Sequence, residues 1–449
     1  MTREKFTPRR SRGLTIWAAI LMFAGSSLAA GPKEKLIYHF QGGSDGAIPF
    51  SNLVADIAGN LYGTTLYGGS GNCGDGCGTV FQLKPPHKAG GVWTETVLYN
   101  FVPYAHSEAG LILDRAGNLY GTTYSGGQLQ NGTVFELKPP SKRGGNWIEK
   151  TLYSFAGGKD GSGSIASLIL DSKGNLYGTT QYGGTGKCSQ FQRPNGCGTA
   201  FQLKPPTKKG GPWTESVLYS FTDQEDGSYP AAALILDSAG NLYGTTVGDQ
   251  TNVDGSVFQL APPAEEGGAW TETTLYSFGF VARDGSAPYG GLIFDTKGNL
   301  YGTTSQGGND LKNCSSTQTF GCGTIFELEP PAHSGSAWKE KVVYRFKDGS
   351  DGEFPQAGLI ADQAGNFYGT SGGPFVGGNG TVFKLNPPPP LGHGWSLITL
   401  HTFGKGNDGY SPSGAVVFGD GGALLGMTSA GGGKCLVPPS CGIAFELVP

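Results

Sequence analysis

The sequence predicts an all-β chain folded as a seven-bladed β-propeller, with four antiparallel strands in each blade. Two observations carry this prediction. The stretch Asp-x-x-Gly-Asn-Leu-Tyr-Gly-Thr-Thr runs from Asp56 to Thr65 and returns at Asp114, Asp171, Asp237 and Asp295, with drift at Asp362 and heavily worn at Asp420. Its marker glycines, Gly63, Gly121, Gly178, Gly244, Gly302, Gly369 and Gly426, stand 57 to 67 residues apart, and a fixed period of that order signals a repeat architecture. Each repeat also carries the same short runs in the same order, and none is long enough, at a period of 3.6, for a helix.

The first run is apolar and ends in Asp, as in Leu111-Ile-Leu-Asp114; the marker stretch follows, then Gly-Thr-Val-Phe-x-Leu, as in Gly132 to Leu137. After Pro-Pro a fourth run closes the unit, Trp-x-Glu-x-x-Leu-Tyr-Ser-Phe from Trp213 to Phe221. Its aromatic, β-branched and Thr residues suit a pleated, half-buried surface. Gly and Pro between the runs mark turns, and four short strands repeated seven times read as propeller blades. The chain begins on a copy of the closing run, Lys35 to Phe40, and ends on Gly442 to Leu447, a copy of Gly-Thr-Val-Phe-x-Leu. The N-terminal strand is therefore expected to complete the last blade from outside, closing the ring and removing its open edge.

Residues 1–29 differ from the rest. Arg9, Arg10 and Arg12 precede an apolar run from Leu14 to Gly25, with small residues at Ser27-Leu-Ala29, the layout of a secretory signal peptide. The expected mature protein is one propeller domain over 30–449, with no membrane span and monomeric. It carries 26 basic and 34 acidic residues, a net charge of -8, which argues against nucleic acid as partner. The eight cysteines form four local pairs, Cys73 with Cys77, Cys188 with Cys197, Cys314 with Cys322 and Cys435 with Cys441. In an exported chain such pairs read as disulfides, each stapling a loop between the second and third strands. The expected location is secreted, periplasmic or at the bacterial cell surface.

The ordered string Gly-Asn-Leu-Tyr-Gly-Thr-Thr, Gly-Gly, Gly-Thr-Val-Phe-x-Leu, Leu-Tyr-Ser-Phe and Asp-Gly-x-x-Pro resembles the GloVer-type tandem repeats of exported bacterial proteins, over essentially residues 35–449. That resemblance implies export and a repeat fold and carries no activity with it. The inner Leu-Asp-x-x-Gly-Asn-Leu-Tyr hairpin is also similar to that of NHL-type propellers, which implies fold alone.

Candidate chemistry gathers on the face where links between blades meet the Cys-bearing loops. Six links carry Asp-Gly, at Asp45, Asp160, Asp226, Asp284, Asp351 and Asp408, and the link after the first repeat replaces it with Val102-Pro-Tyr-Ala-His-Ser-Glu-Ala109. Six carboxylates near a channel mouth suit a hard cation such as Ca²⁺, whereas Asp-Gly is also ordinary turn chemistry. The Asp of Asp-x-x-Gly-Asn is expected to cap a hairpin whose Gly and Asn both take left-handed angles. The repeated Tyr (Tyr62, Tyr120 and their counterparts) and the Trp that opens the outer strand (Trp93, Trp147 and theirs) read as packing between blades or, if exposed, as sugar platforms. No nucleophile elbow, phosphate loop or His-Glu-x-x-His is present. Repeats that agree describe a scaffold. Function is expected in the loops that differ (69–78, 128–131, 184–198, 248–254, 308–323, 374–379 and 432–441), which would meet a glycan, an envelope component or a protein. The alternative is a metal-dependent propeller hydrolase or lactonase with a cation at the channel mouth; no unrepeated acidic cluster stands out to serve it apart from Asp223 to Asp226 and the lone Glu108.

Overall fold

Seven four-stranded antiparallel sheets follow the repeats one for one. In this computed structural model the described residues are 32–448, apart from 72, 75, 89, 103–104, 143, 191–192, 195, 249–253, 266, 280–282, 309–320, 334, 348–349, 373–378, 391, 393, 434 and 436–440. Blade one runs outward from Val54–Ala55 through Leu61–Thr65 and Thr79–Lys84 to Thr94–Asn100. Blades two to six repeat that order around Leu119–Thr123, Leu176–Thr180, Leu242–Thr246, Leu300–Thr304 and Phe367–Ser371. Blade seven takes Val417–Phe418, Leu424–Thr428 and Ile443–Val448 from the end of the chain and Lys33–His39 from its start. The two termini pair antiparallel from Lys33 with Val448 to His39 with Ile443, so the expected closure is present.

Two rings of side chains hold the blades together. The Phe that follows each outermost strand meets the Phe in the third strand of the next blade edge-on or tilted, from Phe40 with Phe81 at 5.0 Å to Phe403 with Phe445 at 4.9 Å between ring centroids. All seven seams contain such a pair. A Cβ on the marker Gly63 would lie 2.7 Å from the Phe81 ring, which is why the motif requires Gly there. The Thr that follows bonds toward the next blade: Thr64 donates to the Ala109 carbonyl at 3.0 Å, and Thr303 to that of Ala357 at 3.0 Å.

The hairpin Asp behaves as a cap. Asp56 accepts the backbone N–H groups of Ala58 and Asn60, the Asn60 side-chain amide and the Tyr62 hydroxyl. Gly59 is left-handed at φ 78°. Asn60, expected to share that conformation, is not among the positive-φ residues; its part is to donate to Asp56 from both its backbone and its side chain. The repeated Tyr are packed between blades, Tyr62 lying 6.1 Å edge-on from Trp147 and Tyr177 6.3 Å from Trp270.

Every outermost strand carries one β-bulge, in blade one between the pairs Phe81–Val97 and Val80–Tyr99. A bulge inserts one residue and turns the following side chains to the other face. Glu95 therefore faces the preceding blade, and Tyr99 faces the next. This reversal positions everything found at the seams.

Candidate functional site

The Asp-Gly carboxylates sit at the outer end of the seams, each engaged in its own link. Asp45 accepts the Tyr38 hydroxyl at 2.7 Å and the Gln41 N–H at 2.6 Å. Asp160 takes Tyr153 at 2.8 Å and the Ala156 N–H. Asp226 takes Tyr219 at 3.0 Å, both the N–H and the hydroxyl of Thr222 at 2.8 Å, and the Gln224 N–H. Asp284 and Asp351 take Tyr276 and Tyr344 at 2.9 and 2.7 Å, and Asp408 lies 3.3 Å from the imidazole of His401. The six do not converge on one point. Among the described residues no group of three or more His, Cys, Asp or Glu side chains is placed to hold a metal ion.

A second set of carboxyls, which the sequence reading passed over, lies along the same seams, and all but Glu149 face one of these Asp residues. Glu34, Glu95, Glu149, Glu215, Glu272 and Glu340 hold the second position of six outermost strands, with Leu397 in the remaining one. Burial, and then the neighbouring Asp45, pushes the Glu95 carboxyl up to about 8. Burial and Asp160 push Glu215 up to about 7, and burial and Asp284 do the same for Glu340, opposed by Arg345. Four seams thus bring together Tyr, Asp and Glu: Tyr38, Asp45 and Glu95; Tyr153, Asp160 and Glu215; Tyr219, Asp226 and Glu272; Tyr276, Asp284 and Glu340.

On the same face, disulfides close Cys73–Cys77, Cys188–Cys197 and Cys435–Cys441. Cys322 is also disulfide-bonded, and its expected partner Cys314 lies outside the described residues, as do much of the 308–323 loop and parts of the other variable loops. The disulfides mark an extracytoplasmic protein. They also position the links. The carbonyls of Cys441, Cys197 and Cys322 accept the N–H groups of Ile48, Tyr229 and Phe354 at 3.0, 2.8 and 2.9 Å. Those three non-glycine residues are thereby held left-handed, at φ 56°, 59° and 51°, a strain that the surrounding structure must over-determine.

The links and inner strands of all seven blades line a central cavity of about 670 Å³. Its wall is mostly small and apolar, and Asn52, Glu108, Tyr124, Gln181, Tyr289 and Gln356 break it. Tyr124 and Tyr182 flank Gly163, their rings 3.0 and 3.1 Å from where its Cβ would lie, and Tyr182 packs edge-on to Tyr229 at 5.8 Å. Burial, then Tyr124, Tyr229 and Tyr289, raises the Tyr182 hydroxyl well above the usual range. Glu108 lies in the one link without Asp-Gly; burial pushes its carboxyl up against a smaller opposing pull from His106. No hydrogen bond from another described residue reaches that carboxyl.

The model of the Gloeobacter/Verrucomicrobia repeat matches residues 26–192, 151–316 and 188–438. The chain belongs to this family. No curated protein matches this Gloeobacter/Verrucomicrobia repeat protein by sequence. Its fold is similar to that of a Dyadobacter fermentans protein of unknown function, at 12% identity and a TM-score of 0.46, over 93% of this chain and 98% of that one. It is also similar to a putative oxidoreductase (glucose dehydrogenase) of Thermus thermophilus, at 14% identity and TM-score 0.44, over 93% and 100%. A third similar structure is the aldose sugar dehydrogenase of Streptomyces coelicolor in its PQQ-bound form, at 14% and 0.43, over 93% and 98%.

Proposed function

We propose that this repeat protein is exported by cleavage of residues 1–29 and acts as a binding propeller, taking the end of a neutral glycan at the mouth of its central cavity. The observation that supports this is the set of groups set into a mostly apolar wall that also carries Ser51, Ser167 and Ser413: the rings of Tyr124 and Tyr289, the amides of Asn52, Gln181 and Gln356, and the carboxyl of Glu108. Ligand sites are mostly apolar with a few convergent polar groups. Aromatic faces suit the C–H face of a sugar ring, and amides and a carboxyl pair with its hydroxyls in both directions. A wall with one carboxyl and no cation of its own suits an uncharged ligand better than an anion.

Binding of neutral oligosaccharides to the oxidised, exported protein tests this, read by titration calorimetry. Tyr289→Ala and Glu108→Ala are expected to weaken binding at least tenfold, while Lys173→Ala, in a hairpin turn of blade three, leaves it unchanged. A protein that binds no neutral glycan, or binds it equally well in both cavity variants, overturns the proposal.

A further inference from the structure

The link after blade one, whose residues 103–104 lie outside the described residues, departs from the other six: it keeps the two donors but carries no Asp to accept from them. In each Asp-Gly link the carboxylate accepts from the Tyr hydroxyl (in one link it meets the His401 imidazole) and from the backbone N–H three residues further on: Gln41, Ala156, Thr222, Gly279, Lys347 or Gly404. The counterparts in the odd link are the hydroxyl of Tyr99 and the N–H of Val102, and residues 102–109 contain no Asp. Neither donor has an acceptor among the described residues. Both residues line an open cleft of about 920 Å³ that runs from blade one across blade two to the edge of blade three, together with Glu149, the counterpart of Glu95 and Glu215, and with Phe101, Leu152 and Trp213 as apolar wall.

We propose that this cleft binds a small carboxylic acid, whose carboxylate takes the place that Asp occupies in the other links and accepts from Tyr99 and Val102. The intact seams show what such a carboxylate meets. There the Glu of the next blade faces the Asp, and two carboxyls at that range do not both stay ionised. Glu149 stands on the same side of the seam, already raised by burial although Thr151 donates to it, and it interacts with Tyr99. Tyr99 from blade one and Tyr153 on its own strand are the titratable groups that share the cleft wall with it. Binding of the acid therefore draws one proton from solvent onto Glu149, and affinity falls as pH rises. The site is separate from the central cavity, and its test is independent of glycan binding.

The experiment titrates the exported, oxidised protein with acetate, glucuronate and N-acetylalanine at pH 5.5 and pH 8, followed by ligand-observed NMR. At least one acid is expected to bind at pH 5.5 and to bind at least tenfold more weakly at pH 8; the second and third ligands distinguish a sugar acid from an acylated amino acid. Tyr99→Phe is expected to weaken binding at least fivefold without altering the melting temperature, whereas Tyr219→Phe, whose acceptor Asp226 is present, leaves affinity unchanged. Glu149→Gln retains binding and removes the pH dependence. Failure of all three acids to bind at pH 5.5, or undiminished binding in Tyr99→Phe, overturns the proposal.

Discussion

The hydroxyl of Tyr219 donates to the carboxylate of Asp226 at 3.0 Å, tying the end of one blade to the link that starts the next. Asp226 is buried, and its two oxygens accept from four groups in all. A buried hydrogen bond to a charged group contributes about 1.5 to 3 kcal/mol, and deleting the acceptor strands its donors. Asp226→Ala is accordingly expected to cost about 2 to 3 kcal/mol in urea unfolding. Calcium titration of the same variant should match that of the parent protein. A calcium-dependent rise in melting temperature that vanishes in Asp226→Ala would instead make the carboxylate a cation ligand.

Stability should peak in mildly acidic solution. Burial alone would raise the hairpin carboxyl of Asp56, but the bonds from Asn60, Tyr62 and Ala58 outweigh it and hold it below its usual value; Asp171, Asp237 and Asp362 behave alike. A lowered folded-state pKa gives stability that is present above the unfolded value and lost as pH falls. The seam carboxyls act in the opposite sense. Glu95 at about 8, and Glu215 and Glu340 at about 7, bind protons in the folded state that the unfolded chain has released, so stability falls as pH rises from about 5 through 8. Melting temperatures across pH 3 to 9 should show both slopes, and Glu95→Gln should flatten the alkaline one.

The fold was legible because the repeat states the strand order seven times, and because the unequal ends, Lys35 to Phe40 and Gly442 to Leu447, show where the ring closes. The seam chemistry was not. Strict alternation puts Glu95, Val97 and Tyr99 on one face, and only the bulge between Val97 and Tyr99 sends Tyr99 to the other. The pairing of Glu95 with Asp45 joins residues fifty positions apart in different blades. A usable sign was present, since Glu recurs at that strand position in six blades, but its constancy made it look like scaffold. Tyr124 and Tyr289, which line the cavity, and Tyr182 and Tyr229, which pack beside them, escaped for the reverse reason. Tyr124 and Tyr182 follow the marker strand while Tyr229 and Tyr289 lie in links, so no common offset joins them.

Ring closure makes the N-terminal strand more than an extension. Ile37 and Phe40 are 5% and 0% exposed, and burying two such side chains contributes about 3 to 6 kcal/mol before any strand pairing is counted. Removing residues 30–40 also exposes the edge of Ile443–Val448. The truncated protein is expected to melt far below the parent and to aggregate, whereas deleting Lys88 at a blade tip should shift melting little. Equal melting temperatures would mean that the blade is complete without its N-terminal strand.

The Cys188–Cys197 bridge links stability to the cavity mouth. It spans nine residues of sequence, and closing a loop of that length stabilises by about 2 to 3 kcal/mol on the chain-entropy account. Its second consequence is local. The Cys197 carbonyl accepts the Tyr229 N–H at 2.8 Å and holds that residue at φ 59°, with its ring against Tyr182. Without the bridge, the loop that maintains this strained backbone is free to open, and the tyrosine cluster loses one wall. Replacing both cysteines with Ser is therefore expected to lower thermal stability and to weaken ligand binding at the mouth together. Among the described residues the corresponding pair Cys73–Cys77 has no such bond to the link that leaves its blade, which begins at Val102 and is built differently. Its removal should lower stability and leave affinity unchanged. Equal losses of affinity in the two double variants would show that the disulfides act on stability alone, not through Tyr229.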